Sequence, residues 1–477
     1  MLLLILAIFV IGYAFIAFEH QISINKAGVA LLTGVILWVI YAVGVPEFAA
    51  TYSSESFAHY IKYRPSLSNS PLAEQCVDFI VGYQIIESLG EISSTLFFLI
   101  GAMTIVEIID VHGGFAVITH RITTRKKVKL LWIISLTTFF LSAMLDNMTT
   151  AIVMVMLIRR IVGDKHERWI FASMVILAAN SGGAWSPIGD ITTIMLWVKG
   201  NITASHIVSS TILPSLVSCV VPTYICSRML SGRLDETLSD KEEAPDSYNI
   251  MKIMPKKERL SIAVLGLVCL ISIPIFKGLT HLPPFMGMMF ALGIMWVYTE
   301  IAYDKLHDIS EKNKNRVPRI LRRLDTPTIL FFLGILLAVD ALKATGILNA
   351  AAHFLDTEVH NIYVSNIIIG LLSSIVDNVP LVAASMGMYP TVDPATLATA
   401  GESAAYLSSF VVDGEFWSLL AYCAGVGGSV LIIGSVSGVV IMGIEKIEFG
   451  WYFKNISFMA LVGYLSGALT FILMHAL

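Results

Sequence analysis

The sequence predicts an all-α polytopic membrane protein with about ten transmembrane helices, two re-entrant hairpins and an inverted-topology repeat. Three observations predict this fold class. Mean hydropathy is +0.77 and only 14% of the 477 residues are charged, against roughly 25% in soluble domains. Apolar stretches long enough to enter a bilayer follow one another along the whole chain. Finally, several short motifs occur twice, once in each half.

The apolar stretches define the predicted elements in order. The first half, 1–228, contains helices at 2–18, 27–44 and 89–108, a hairpin at 130–158, a broken helix at 169–198 and a helix at 208–226. The second half, 260–477, contains helices at 260–275, 284–301 and 327–342, a hairpin at 361–389, a broken helix at 415–443 and a helix at 455–474. The polar segments 45–88 and 229–259 are interpreted as connectors, the second a cytoplasmic linker.

The distribution of Lys and Arg favours hairpins over straight spans at 130–158 and 361–389. Positive residues in short loops are retained in the cytoplasm. With both segments as hairpins, 26 of the 31 Lys and Arg residues fall in cytoplasmic segments. A straight 130–158 would export one of the basic runs beside it. A continuous helix there would be about 43 Å long, which a tilted span accommodates, so the straight alternative stays open. The hairpin topology places both termini outside and inverts the second half.

Three motifs recur in the same order in both halves, at offsets of 233, 231 and 245 residues. Internal repeats of this kind are typical of secondary transporters. The matched residues are Gly101, Glu107 and Gly113 with Gly334, Asp340 and Gly346; Asp146 and Asn147 with Asp377 and Asn378; and Gly182, Gly183 and Gly189 with Gly427, Gly428 and Gly434.

Each hairpin has an Asp-Asn pair at its predicted tip, Asp146-Asn147 and Asp377-Asn378. A carboxylate at membrane depth costs several kcal/mol, so its presence suggests a function. The broken helix leaves backbone carbonyls free, and these join the carboxylates and the Thr149 hydroxyl as ligands that suit a small hard cation. The alternative is that the polar pairs only cap the two arms of each hairpin.

Residues 180–190 interrupt an apolar span with three glycines and a proline, which predicts an unwound segment near the midplane. Asp190, Thr192 and Thr193 follow at the start of the second half-helix. A kink alone would explain the glycines and proline, but not the aspartate. In the second repeat, Ser435 and Ser437 stand where the first has Asp190 and Thr192, so the duplicated site is asymmetric.

Other polar residues in the apolar spans are supporting candidates: Asn180, Ser181, Ser373, Ser374, Glu91, Glu107 and Asp340. The three acidic residues lie at ends of predicted helices, where a side chain reaches the interface cheaply, so an interfacial role is the alternative for them. The N-terminus lacks the basic region of a signal peptide and is interpreted as a retained helix. The five cysteines have no metal spacing.

Over nearly its whole length the chain resembles the NhaD-type sodium/proton antiporters of the ion transporter superfamily. The resemblance is carried by residues 103–110, 145–151, 180–193 and 373–380. It implies a homodimer in the cytoplasmic membrane, with a scaffold domain and a mobile domain that contains the hairpins. It also implies a transporter rather than an enzyme, embedded in lipid, without a resident cofactor or a nucleic-acid partner.

The function expected from these residues is exchange of Na⁺, and also Li⁺, for H⁺ by alternating access. Asp146, Asp190 and Asp377 would bind Na⁺ or protons in competition, and Asn147, Asn378, Thr149, Thr192 and Thr193 would complete the coordination. One alternative is an anion permease of the same superfamily, for arsenite or a dicarboxylate. Dicarboxylate-moving relatives typically have a Ser-Asn-Thr tip where this chain has Asp-Asn. A second alternative, an intramembrane aspartyl protease, lacks its Gly-x-Gly-Asp motif here.

Overall fold

The computed structural model describes residues 1–17, 24–114, 124–234, 254–304, 314, 316–359, 361–375, 377–397 and 404–476. Within these ranges the regular structure is helical, apart from an isolated antiparallel bridge between Lys126 and Arg233. Helices from the first half of the chain are α1 Leu2–Ala17, α2 Lys26–Gly44, α3 Phe48–Tyr52, α4 Ser54–Lys62, α5 Leu72–Phe79, α6 Ile85–Val111, α7 Lys127–Ser142, α8 Asn147–Ile161, α9 Lys165–Gly183, α10 Ile191–Lys199 and α11 Ala204–Met229.

The second half supplies α12 Lys256–Thr280, α13 Pro284–Asp304, α14 Val317–Leu321, α15 Thr326–Ala344, α16 Ile347–Glu358, α17 Ile362–Leu372, α18 Asn378–Met388, α19 Pro394–Leu397, α20 Ala404–Leu407, α21 Glu415–Gly427, α22 Val436–Glu445, α23 Phe449–Asn455 and α24 Ser457–Ala476. Seven helical segments among the described residues are long and apolar enough to cross a membrane. Shorter apolar helices include α1, α8, α17, α18 and α22. The prediction of an all-α polytopic membrane protein is confirmed.

The segment 45–88 differs from the predicted connector because it folds into helices. α3, α4 and α5 occupy half of it, and a π-helical turn at Ile80–Gln84 joins α5 to α6. Contacts between aromatic residues stabilise this segment. Phe79 stacks on Tyr83 with ring centroids 5.3 Å apart and meets Phe57 edge-on at 5.4 Å. The Gln84 amide donates to Ser53 Oγ at 2.9 Å. Most of the predicted linker 229–259 lies outside the described residues.

The chain forms two compact units. The first comprises 1–96, 325–365 and 379–411, and the second comprises 97–324, 366–378 and 412–477. Each unit draws residues from both halves of the sequence, so the predicted halves 1–228 and 260–477 describe the repeat and not the compact units. In the first unit α2 packs along α15. A Cβ added to Gly34 would lie 2.6 Å from Gly334 O, so the two backbones touch.

The second unit is built around α9, which is buried from Trp169 to Gly183 except at Ile170. α7, α8, α11, α21 and α22 all pack against α9. α11 in turn packs along α24, where a Cβ on Gly463 would lie 2.7 Å from Ser218 O. Because α9 touches so many neighbours, its broken end is surrounded by protein.

α7 and α8 form the first hairpin, broken over residues 143–146. The outer ends of both arms lie beside the first turn of α9. Lys127, at the start of α7, forms an ion pair with Glu167. Arg159, near the end of α8, shares the carboxylate of Glu445 with Arg168. A straight helix would separate Lys127 from Arg159 by about 48 Å. The two arms therefore fold back on each other.

Candidate functional site

Two broken helices provide the frame of the candidate site. The first consists of α9 and α10, with residues 184–190 unwound between them, and the second consists of α21 and α22, with 428–435 unwound. The first break lies within the predicted interruption at 180–190. Unwound backbone inside a membrane protein is tolerated where protein or a polar cavity surrounds it. Here it is buried: Ala184, Asp190, Gly428 and Ser435 all lie in the interior.

Asn180 is the centre of a hydrogen-bond network that joins the two broken helices. Its amide nitrogen donates to Ser429 Oγ and Ser435 Oγ, each at 2.9 Å. Its Oδ1 accepts from Ser437 Oγ at 2.8 Å and from the Asn147 amide at 3.2 Å. Asn180 is fully buried, and a buried amide is stable only when its donors and acceptors are paired. The network therefore fixes α9, α22 and the hairpin tip together.

Asp190 lies beside this network and is 1% exposed. It is the N-cap of α10: Oδ1 accepts from Thr192 N at 3.0 Å and from Thr192 Oγ1 at 3.1 Å. Its Oδ2 accepts from the Asn147 amide at 3.0 Å. Thr193 Oγ1 donates to the Asp190 backbone carbonyl at 2.7 Å. The helix cap thus holds a carboxylate at the N-terminal end of a half-helix, where the macrodipole favours negative charge.

The first hairpin, formed by α7 and α8, places two tip residues at the site, Asp146 and Asn147, and their side chains have different partners. Asp146 is the N-cap of α8, with Oδ1 accepting from Thr149 N and Oδ2 from Thr149 Oγ1, each at 2.7 Å. Asn147 points the other way and bridges Asn180 and Asp190. Asp146 thus caps α8, while Asn147 is part of the buried network.

Hairpin 2 places its tip in the same unit. Asn378 is 4% exposed and begins α18. Asp377 precedes it and is close enough to Asp190, as is Asp146, for its charge to act on that carboxylate. Ser373 Oγ donates to Ala424 O at 2.8 Å and Ser374 Oγ to Leu371 O at 2.7 Å. These two serines tie the first arm to α21 and to its own last turn.

The two repeats make matching contacts, which supports the internal repeat. A Cβ on Gly182 would lie 2.2 Å from Phe139 O, and one on Gly427 would lie 2.0 Å from Gly370 O. Ser142 Oγ donates to Ala179 O at 2.6 Å, as Ser373 does to Ala424. The pairs keep the offsets of 231 and 245 residues read from the sequence. Each broken helix thus packs against its own hairpin in the same way.

A second pair of matched residues explains why the site is asymmetric. By the 245-residue offset Asn180 corresponds to Gly425 and Asp190 to Ser435. Asn180 bonds Ser435, and a Cβ on Gly425 would lie 3.4 Å from Asp190 Oδ2. The two helices thus cross at equivalent points. At the first crossing the amide of Asn180 meets serine hydroxyls, whereas at the second Gly425 presents no side chain to the Asp190 carboxylate.

The remaining candidates lie outside this network. Glu91 and Asp340 belong to the first unit, and Glu107 interacts electrostatically with Asp110 and Arg323 in the second. Ser181 Oγ accepts from Ser218 Oγ at 2.9 Å and joins α9 to α11. Within the described residues, no three His, Cys, Asp or Glu side chains come together as a metal would require. The hydrogen bonds around Asn180 join the Asp190 carboxylate to amides and hydroxyls.

Two further residues bear on the site: Ser429, a hydroxyl of the second broken helix, and Glu445, which sequence reasoning did not single out. Ser429 bonds Asn180, and its own carbonyl accepts from Tyr452 Oη at 2.8 Å. Glu445 is buried at the end of α22 between two arginines. Glu445 has no counterpart motif and lies three residues before another glutamate, Glu448, so the sequence offered no signal that one of them is buried.

Comparison with known proteins places the chain among transporters. A family model described as citrate transporter matches residues 13–410. The chain belongs to the citrate transporter family. Its curated relatives include sodium/proton antiporter 1 of Arabidopsis thaliana, 42% identical over 98% of this chain and 72% of the relative. Sodium/proton antiporter 2 of the same plant is 38% identical over 98% of both chains.

Bacterial members of the family are also similar over most of their length. The Na⁺/H⁺ antiporter NhaD of Vibrio cholerae is 27% identical over 92% of this chain and 84% of the relative. The predicted resemblance to NhaD-type antiporters is confirmed. With its apolar helices, family membership makes the chain a multi-pass membrane protein of a transporter family.

Proposed function

We propose that this protein exchanges Na⁺, and also Li⁺, for H⁺ across its membrane. The observation that carries the proposal is Asp190, a buried carboxylate held in the unwound break of a membrane helix by the Thr192 cap and the Asn147 amide. Irregular backbone at membrane depth commonly binds the transported ion. The relatives named sodium/proton antiporters support the same substrate.

The geometry of Asp190 leaves it able to bind one more positive group. A carboxylate has about four lone-pair directions, and three donors are in place: Thr192 N, Thr192 Oγ1 and the Asn147 amide. On the side of α21, Gly425 presents no side chain to Oδ2. Carboxylate, amide and hydroxyl oxygens are the ligands that a small hard cation prefers. A Na⁺ ion or a proton can therefore occupy the remaining direction, but not both.

Competition for this position couples the two fluxes. Ligand carboxylates must lose their proton before a cation binds, so each binding event releases a proton. Asp146 and Asp377 act on Asp190 through their charges, and we infer that they raise the local attraction for cations and share the proton. Asn378, Thr149 and Thr193 support the tips and the cap, and the serines at 435 and 437 keep Asn180 in place.

The anion-permease alternative has less support. The family description refers to citrate, but the relatives named above are sodium/proton antiporters. The groups that face the network centre are a carboxylate, amides and hydroxyls, and a fixed carboxylate repels an anion. Accumulation of labelled citrate or arsenite in vesicles, without Na⁺-driven proton flux, would reverse this preference.

We further infer ten crossings, two re-entrant hairpins with opposite openings, and both termini outside a cytoplasmic membrane. α1 and the two broken helices, each crossing once, add to the seven long helices to give this number. We also infer a homodimer, as the resemblance implies. Mass measurement of the purified protein with its bound detergent counted would test the dimer, and a monomeric mass at working concentration would contradict it.

Exchange is tested in everted vesicles that contain the protein and a pH-sensitive dye. After respiration acidifies the lumen, addition of Na⁺ or Li⁺ should dequench the dye, since protons leave as the cation enters. K⁺ serves as the comparison ion, and vesicles without the protein give the background. Absence of dequenching with Na⁺ and Li⁺, in vesicles where the protein is inserted, would contradict the proposed function.

A further inference from the structure

We propose that Glu445 is a positioning residue for ion binding, whose ion pairs with Arg159 and Arg168 set the spacing of α8 and α22 around Asn180. We name the three residues the clasp. The proposal rests on the proposed function, because the cluster that the clasp positions is the inferred ion site. Glu445 itself belongs to no predicted motif and touches none of the cluster residues by a hydrogen bond in the structure.

The clasp is a well-bonded charge cluster around a buried carboxylate. Glu445 is 3% exposed. Its Oε1 accepts from Arg159 Nε at 2.7 Å and its Oε2 from Arg168 Nε at 3.1 Å. Arg159 Nη2 donates to Ile444 O at 3.1 Å, and Trp169 Nε1 donates to Glu445 O at 3.0 Å. The last turn of α22 is thus tied through both side-chain oxygens and two backbone carbonyls.

Local structure does not favour an acid at this position. Glu445 is the last residue of α22, where the helix dipole favours cations and disfavours carboxylates. Burial adds the cost of removing the charge from water. In the part of the chain that the structure describes, Arg159 and Arg168 offset these costs, so the glutamate is best explained by the helices that its ion pairs join.

Both helices that the clasp joins start in the cluster. α8 begins at Asn147, which bonds Asn180 and Asp190, and Arg159 lies about 18 Å further along it. α22 is capped by Ser435, which bonds Asn180, and Glu445 lies about 15 Å further along it. The two helices pack against each other and against α9.

Because α8 and α22 pack against each other along their length, fixing their C-terminal ends constrains the spacing of their N-terminal ends. Arg168 lies in the first turn of α9 and also donates to Gly163 O at 2.8 Å, in the turn between α8 and α9. The clasp therefore unites α8, α9 and α22, the three helices that supply Asn147, Asn180, Ser435 and Ser437. The ligand groups of a binding site must be held to within about 0.5 Å of their working positions. Mutation of the residues that hold the ligands typically lowers metal affinity by about 10–100-fold.

The test compares Glu445→Gln with Glu167→Gln. Glu167 pairs with Lys127 on the same end of the unit, but this pair is partly exposed and joins α7 to α9. We expect Glu445→Gln to raise the apparent Michaelis constant for Na⁺ about tenfold and Glu167→Gln to leave it near that of wild type. Stabilisation of the detergent-solubilised protein against heat by Na⁺ gives the ion affinity without transport.

A second variant separates positioning from simple charge balance. Glu445→Gln leaves two partly exposed arginines without their carboxylate partner, whereas Glu445→Gln with Arg159→Gln restores the net charge of the clasp. If the clasp positions the site, the double variant regains thermal stability but keeps the raised Michaelis constant. If Glu445→Gln alone does not fold, the Michaelis constant for Na⁺ is measured in the double variant instead.

Two results would overturn the proposal. One is an equal Na⁺ affinity in Glu445→Gln and Glu167→Gln, and the other is recovery of normal affinity together with stability in the double variant. Wild type is measured in parallel to keep the two proposals apart. Wild type without Na⁺-driven proton flux would contradict the proposed function, and the clasp with it, whereas normal wild-type flux with unchanged variants would contradict the clasp alone.

Discussion

Aspartate serves as a helix N-cap at three places in the second unit, and burial distinguishes their roles. Asp146, Asp164 and Asp190 each accept from a backbone N–H in the first turn of the following helix, at 2.7, 2.8 and 3.0 Å. The Asp164 cap is exposed, whereas Asp190 is 1% exposed. The same local interaction thus fixes a helix start at one place and a buried charge at another.

Replacing each capping aspartate by asparagine should separate capping from ion binding. Asparagine caps about as well as aspartate, so the three helices should remain intact. We expect Asp146→Asn and Asp190→Asn to lose Na⁺-driven proton flux, because Asp190 is the proposed ligand of both ions and Asp146 supplies negative charge beside it, and Asp164→Asn to keep it. Asp377→Asn is expected to behave like Asp146→Asn. Vesicle dequenching measures all four, and normal flux in Asp190→Asn would remove that residue from the mechanism.

Gly425 should influence which cation is preferred. An alanine Cβ there would lie 3.4 Å from Asp190 Oδ2 and 3.3 Å from Ala184 Cβ, so it narrows the space beside the carboxylate and requires Ala184 to shift by a few tenths of an ångström. Selectivity among hard cations depends on cavity size and ligand geometry. Gly425→Ala is therefore expected to raise the Michaelis constant for Na⁺ more than for the smaller Li⁺.

The control for this variant is Gly443→Ala on the exposed side of α22, where an added Cβ meets nothing within 4 Å. Both ions should keep their wild-type Michaelis constants in it. An unchanged ratio of Na⁺ to Li⁺ constants in Gly425→Ala would contradict the idea that this side of Asp190 receives the ion.

At the scale of elements, close backbone contact holds each broken helix to its hairpin. Gly182 meets Phe139 O in the first repeat and Gly427 meets Gly370 O in the second. A single methyl group at these glycines has no room. We expect Gly182→Ala to lower the free energy of unfolding by about 1–3 kcal/mol through forced displacement of α7. Gly443→Ala should match or slightly exceed wild type.

Thermal unfolding in detergent, followed by tryptophan fluorescence, would measure this difference. Because the loss of stability comes from the size of the added side chain, Gly182→Ser should have a melting temperature similar to that of Gly182→Ala. A melting temperature for Gly182→Ala equal to that of the Gly443→Ala control would show that the contact is not as tight as the structure has it.

The fold-back of hairpin 1 has a consequence for the membrane topology. The beginnings of α7 and α9 lie together through the Lys127–Glu167 pair. Single cysteines at Thr124 and Gly163 should therefore react with an impermeant reagent from the same, cytoplasmic, side. All five native cysteines are buried, which keeps background labelling low. Labelling of the two positions from opposite faces would restore the straight span for 130–158.

At the scale of the whole molecule, one shared site makes a kinetic prediction that separate pathways do not. If Na⁺ and H⁺ compete at Asp190, lowering the pH should raise the apparent Michaelis constant for Na⁺ by up to about tenfold per pH unit, with little change in maximal rate. Initial rates in vesicles at several pH values and Na⁺ concentrations would measure this. A Michaelis constant for Na⁺ that does not change with pH would favour separate proton and ion routes.

The sequence by itself determined the fold class, the breaks in the helices and the residues of the inferred ion site. Hydropathy marks what enters the bilayer, because lipid tolerates few polar groups. Glycine and proline mark the break at 184–190, because they weaken or remove helical hydrogen bonds. Asp190 and Asn147 stood out since polar groups at membrane depth are costly. Each of these signals is local, so each can be read along the chain.

Only the tertiary structure decided which of these residues meet. Asn180, one supporting candidate among several, is the centre of the network because α9 and α22 cross there, 255 residues apart in sequence between Asn180 and Ser435. Asp146 turns to Thr149 while Asn147 turns to Asp190. Glu445 and Glu448 look alike in sequence, yet only the packing of α8 and α9 buries Glu445 between two arginines. Burial and partners depend on contacts between distant segments, which hydropathy and spacing do not encode.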